Sequence, residues 1–128
     1  MTSHEIDTMM FFTRHPNAFP IYDALEELIF TIFPEVNKHV HKTQISFSNR
    51  HVFACISFTR VKKKQDLPDP YIVITLGLPC AIDSSRIAVK SEIYPGRWTT
   101  HIVIGGVNEI DKELVSWIRQ AYSFAESK

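Results

Sequence analysis

The stretch Arg86-Ile87-Ala88-Val89-Lys90-Ser91-Glu92-Ile93-Tyr94-Pro95-Gly96-Arg97-Trp98-Thr99-Thr100-His101-Ile102-Val103-Ile104-Gly105 decides how this chain is read. Apolar and polar residues alternate on both sides of Pro95-Gly96, as in two β-strands folded about a turn. A two-residue loop at Pro95-Gly96 pairs Tyr94 with Arg97, Ile93 with Trp98, and so on outward. Ile87, Val89 and Ile93 then share a face with Trp98, Ile102 and Ile104. The other face collects Arg86, Lys90, Glu92, Arg97, Thr99 and His101, with Lys90 directly opposite His101. A slip of one residue would mix the faces. Pro-Gly favours a type II turn, whereas tight hairpins favour the primed types, so a four-residue loop with the same pairing is the alternative.

Working back from this hairpin, Tyr71 to Leu78 is almost continuously apolar and reads as a strand buried on both faces. Residues 52–59 carry apolar side chains on both faces and read as a central strand. In 43–48, Ile45 and Phe47 alternate with Gln44, Ser46 and Ser48, and Asn49-Arg50 sits where a two-residue hairpin loop belongs. Val61 to Pro70 is a charged, proline-closed loop. The two hairpin strands span about 85–93 and 97–104, which makes five strands in all.

Helices flank them. Residues 3–13 form a short helix with Ser3 as its N-cap. A second helix starts at His15-Pro16-Asn17, with Asn17 as cap and Pro20 tolerated in the first turn. Phe19, Tyr22, Leu25, Ile29 and Ile32 follow helical spacing, and Pro34 ends it. After Gly105-Gly106, Asn108 caps a final helix, with Asp111 in a loose capping-box position. Its buried stripe is Ile110, Leu114, Trp117, Ile118, Ala121 and Phe124/Ala125. The expected architecture is α+β: one domain over 1–128 with its core at about 11–125. An antiparallel sheet of about five strands carries the N- and C-terminal helices on one face, and the other face is partly open.

Composition bounds the function class. Hydrophobic residues are 45% and charged residues 22%, the balance of an ordinary globular domain, so no disordered or fibrous reading is needed. Lys+Arg and Asp+Glu are both 14, so the chain lacks the basic excess of a dedicated nucleic-acid binder. No apolar run spans a bilayer, and the N-terminus lacks a basic segment before an apolar core. The expectation is a cytoplasmic protein that makes no membrane contact. Cys55 and Cys80 lack CxxC spacing and read as buried small hydrophobes.

Three constellations could carry chemistry. Arg86, Lys90, Arg97 and His101, joined by Lys42 and Gln44 on the first strand, make a cationic sheet face suited to phosphate or carboxylate. Arg86 and Arg97 would clamp the anion, and Gln44 and His101 would give directional hydrogen bonds. The bland alternative is a solvated face whose charges pair with Glu92 and the helix carboxylates. His39 and His41 have His-x-His spacing and, with His51 or His15, supply metal-ligand types. No Cys or carboxylate cluster completes that set, and no metal or cofactor is expected. Arg60, Lys62, Lys63 and Lys64 could touch nucleic-acid phosphates, but no aromatic residues interleave with them, and a solubilising loop is the better reading. GxSxG, P-loop, GxGxxG and HExxH are all absent, and no catalytic residue is assigned.

Several segments taken together resemble a known family. They are Phe12-x-x-His15-Pro16-x-Ala18, Lys42-Thr43-Gln44-Ile45-Ser46-Phe47 with Arg50 and Phe53-Ala54, Leu76-Gly77-Leu78, Arg86, and Tyr94 to His101. The chain, from about 11 to 125, is similar to a family of small bacterial domains of unknown function. Such domains also occur at the C-terminus of larger predicted transport proteins. The resemblance implies a compact α+β domain and supplies no activity. More distantly, the element order is similar to YdhG-like, YjbR-like and frataxin-type folds, which is fold analogy only. Asp23, Glu26, Glu27 and Glu35 do not make the acidic ridge that iron handling requires.

The functional expectation is therefore a non-enzymatic binding module. Its ligand is an anionic small molecule, peptide carboxylate or nucleic-acid backbone, held on the face bearing Lys42, Gln44, Arg86, Lys90, Arg97 and His101. One alternative is an enzyme using His101 as general base. Another is a protein-interaction domain that forms a homodimer through its exposed sheet face.

Overall fold

A computed structural model describes the backbone of residues 3–128 and the side chains of 5–128. The elements run α1 (Ser3–Phe11), a 3-10 turn (Pro16–Ala18), α2 (Phe19–Ile32), β1 (Asn37–Val40), β2 (Gln44–Ser48) and β3 (Val52–Ser57). After a second 3-10 turn (Lys64–Asp66) come β4 (Ile72–Leu78), β5 (Ile87–Tyr94) and β6 (Arg97–Ile104). A third 3-10 turn (Val107–Glu109) leads to α3 (Lys112–Ser127). The strands form one antiparallel six-stranded sheet in the order β1-β2-β3-β4-β6-β5. This is the α+β single domain that the alternation of apolar residues implies.

The helices cover one face. Rows of cross-strand partners such as Ile45–Ile56–Ile74–Ile102 run across the sheet. They pack against Leu25 and Ile29 of α2 and Leu114, Ile118 and Ala121 of α3. In α3 these residues recur every three or four positions, which puts them on one stripe. The opposite face carries small and polar side chains together with Val73 and Val103. One of its rows is His39–Ser46–Cys55–Thr75–His101.

Four local expectations are corrected. There are six strands and not five, because Asn37–Val40 pairs with β2. That segment has no strand-like apolar alternation; its Lys38 is buried only because Glu26 and the Thr8 hydroxyl receive its ammonium group. The N-cap of α3 is Asp111, which accepts the Leu114 N–H at 3.0 Å, while Asn108 lies in the preceding 3-10 turn. α2 is entered through the Pro16–Ala18 turn and has no side-chain cap, so Asn17 does not serve. Cys55 is half-buried and Cys80 exposed, so Cys80 is no core residue. The Ser3 cap lies outside the described side chains.

The hairpin register is the fifth correction and matters most for function. Tyr94 does pair with Arg97, but Glu92 pairs with Trp98, Lys90 with Thr100 and Val89 with His101. Ile93 and Ala88 are extra residues at two register shifts. Gly96 has φ +74°, as the third residue of a type II turn requires. A type II turn does not match the twist of the strands it joins, and the bulge beside it takes up the mismatch. Between the two shifts, residues 89–92 of β5 therefore face opposite to the expectation, and the second shift returns Ile87 to the expected face beside Ile102.

Candidate functional site

The shifted register separates the expected cationic face. Lys90 and Glu92 lie on the helix side, across from Thr100 and Trp98, while His101 faces the other way. The Lys90 ammonium donates to the Ile82 carbonyl at 3.0 Å. Arg86 reaches the start of α3. Its guanidinium donates to Asp111 at 2.8 Å, Glu113 at 3.0 Å and the Glu109 carbonyl at 2.7 Å, and lies over the Trp117 ring. Burial works against that charge, but the hydrogen bonds to Asp111 and Glu113 more than offset it and raise the Arg86 pKa. Asp111 is held below the ordinary carboxylate value by the Leu114 N–H first and then by Arg86. Arg86 thus joins the β4–β5 connection to α3.

Arg97 and Gln44 stand at opposite ends of the sheet. Arg97 caps the hairpin tip beyond the last β4–β6 pair, Leu78 with Trp98, with its guanidinium over the Tyr94 ring. Gln44 lies in the row of Ser57, Val73 and Val103. β2 and β6 are also three strand spacings apart, about 14 Å. Of the six residues, His101 alone occupies the middle of the open face, where its Nδ1 is 2.8 Å from the Thr75 hydroxyl.

Burial lowers the His101 pKa below its ordinary value. A lowered folded pKa means that the unfolded chain binds more protons at this site. The associated stability is complete above about pH 6.5 and is lost as pH falls through the lowered value. His101→Gln should therefore lose part of the acid-side fall in Tm seen in the wild type between about pH 8 and about pH 5. Parallel Tm profiles for the two proteins would contradict this.

A different set of residues is brought together at the other end of the molecule. α1 ends at Phe11 in a turn over 12–14, and Pro16 opens the next turn, in which Ala18 N–H bonds the His15 carbonyl at 3.0 Å. The His15 ring stacks on Phe58 with centroids 3.9 Å apart. Phe12, buried, meets Phe19, Tyr22 and Phe58 and anchors the turn. Across from it, the β1–β2 turn is closed by His41 N–H to the Gln44 carbonyl at 2.8 Å, which presents Lys42 and Thr43. Between them is a cleft of about 580 Å³ whose polar lining includes Arg14, His15, Lys42, Thr43 and Thr59 and whose apolar wall includes Phe58. Among the described residues no carboxylate lines it. Neither Arg14 nor Lys42 joins the ion pairs formed among the described residues. Arg14 and His15 also line a neighbouring cavity of about 120 Å³, which Asp69 borders.

Of the expected site residues only Lys42 belongs to this cleft. Arg14, Thr43, Phe58 and Thr59 carry no local pattern that marks them; the one available signal was the Phe12-x-x-His15-Pro16 spacing. The histidines are dispersed: His39 and His41 have centroids 6.3 Å apart, His15 lies on Phe58, and His51 Nδ1 is 3.2 Å from the Ala125 carbonyl. Among the described residues no group of three or more His, Cys, Asp or Glu side chains is arranged to hold a metal ion. Among them, too, no helix is long and apolar enough to cross a membrane.

Comparison with known proteins finds one family. The model of a domain of unknown function, DUF5655, matches residues 9–125. No curated protein and no solved structure matches the chain.

Proposed function

Since the chain belongs to the DUF5655 family of domains of unknown function, we propose from the chain's own geometry that it is a binding module for a small anionic ligand. The ligand is held in the cleft between the α1–α2 connection and the β1–β2 turn. The observation that carries this reading is the pair Arg14 and Lys42, two cations lining one cleft in which no carboxylate is found among the described residues. A guanidinium gives planar, forked donors and an ammonium gives a compact charge, which together suit phosphate or carboxylate. Thr43 and Thr59 add hydroxyl donors, and Phe58 offers an apolar wall to the rest of the ligand.

Titration of the ¹⁵N-labelled protein with inorganic phosphate tests the site. Amide shifts should concentrate at Arg14, His15, Lys42, Thr43 and Thr59. A charge-assisted hydrogen bond contributes about 1.5 kcal/mol or more, so Arg14→Ala and Lys42→Ala should each weaken binding roughly tenfold. If phosphate shifts scatter over the surface, or if the doubly substituted protein titrates like the wild type, the reading fails.

A further inference from the structure

β5 forms one edge of the sheet, so one side of its backbone ladder is unpaired. Long edge strands with apolar side chains are templates for pairing, and monomeric proteins blunt them by shortness, inward charge, proline or bulges. The opposite edge is blunted by shortness and an inward charge, whereas β5 is interrupted only by bulges near its two ends. β1 has four residues, and its Lys38 points inward to Glu26 and Thr8. β5 has eight residues and leaves Val89, Ile93 and Tyr94 exposed, at 37%, 71% and 65%. Its register shifts fall at Ala88 and Ile93, leaving 89–92 regular.

That regular segment is its own complement. Read antiparallel about Ser91, Lys90 stands opposite Glu92 of a second copy and Glu92 opposite its Lys90, and this three-residue core lies wholly between the two register shifts. A pairing centred on Lys90 would oppose two ammonium groups, and one centred on Glu92 would oppose two carboxylates; like charges directly opposite are destabilising. Both side chains are exposed and keep capacity for the new contact. Lys90 spends one of its three donors on the Ile82 carbonyl, and Glu92 uses Oε2 to accept the Gly96 N–H at 3.2 Å.

We propose that two copies of this chain pair through β5, antiparallel about Ser91, into one continuous sheet with two-fold symmetry. The occupant is a second copy, because the charge sequence Lys-Ser-Glu is satisfied by its own reversal. The anion cleft plays no part in this contact, so either proposal can fail alone.

Sedimentation velocity over a concentration series tests it. The wild type should pass from monomer to dimer as concentration rises. Lys90→Glu and Glu92→Lys should each weaken the dimer, roughly 30-fold if each of the two symmetry-related pairs changes from attraction to repulsion at about 0.5 kcal/mol per interaction. The double reversal Lys90→Glu with Glu92→Lys restores the self-complementary pattern and should restore the dimer. A wild type that stays monomeric to its solubility limit would overturn the proposal. So would a dimer indifferent to the single reversals, or one not rescued by the double.

Discussion

Glu26→Ala should lower the free energy of unfolding by about 3 kcal/mol, the lower end of the range for removing one partner of a buried ion pair. The Lys38 side chain is only 7% exposed and that of Glu26 24%, so water can offset part of the loss. Glu26 receives two donors: the Lys38 ammonium and the Tyr22 hydroxyl, the latter at 3.0 Å. The same ammonium donates to Thr8 at 2.6 Å and lies 5.3 Å from the Tyr22 ring centroid. Burial, and then the neighbouring Glu26, push the Tyr22 pKa far above its ordinary value, so it remains a neutral donor. Alanine at 26 takes the Glu26 carboxylate from a buried ammonium that keeps the Thr8 hydroxyl, and removes the acceptor of the buried Tyr22 hydroxyl. The network is expensive to break but is not a large net source of stability. Tyr22→Phe, Glu26→Leu and Lys38→Met made together should recover most of the loss, since a packed apolar trio needs no partners. Urea denaturation at neutral pH measures both. A single-substitution change under about 1 kcal/mol would mean that water replaces Glu26 and that Lys38 is not truly sequestered.

Phe53→Ala should cost about 3–5 kcal/mol. Phe53 is 1% exposed and is the extra residue where β2 and β3 shift register, with Phe47 opposite Ala54 and Ser48 opposite Val52. Its ring meets Phe33, just past α2, edge-on at 6.0 Å, and Tyr122 of α3 at 5.3 Å. Phe33 and Tyr122 stack on each other at 3.9 Å. One bulged residue therefore joins the sheet to both long helices, and truncating it opens a cavity that three elements border. Asn49 Nδ2, bonded to the Tyr122 carbonyl at 2.9 Å, resists the collapse that would fill the cavity. Phe53→Leu keeps much of the volume and should cost well under half as much. Equal losses for the two variants in a denaturation series would show that ring geometry, and not volume, governs the site.

Much of this fold was legible in the sequence. The period-two alternation of Ile45 and Phe47, the unbroken apolar run of β4 and the helical stripe of Leu114, Trp117, Ile118 and Ala121 each record which side of a segment meets the core. That information is local, because side-chain periodicity follows from the geometry of one strand or one helix. It determined the α+β class, both long helices, five of the six strands and the turn at Pro95-Gly96.

Only the tertiary structure decided the rest. β1 exists because Asn37–Val40 borrows hydrogen bonds from β2 and because Glu26 and Thr8, remote in sequence, neutralise a buried lysine. The bulge at Ile93 is invisible to a parity count, which assumes an unbroken ladder, yet it sends Lys90 and His101 to opposite faces. Arg14 and Lys42 line one cleft because the chain turns after α1 and the His15 ring stacks on Phe58. Strand existence, register and site assembly are properties of pairs of distant segments. Their free energy resides in contacts between those segments, and no single stretch of sequence carries it.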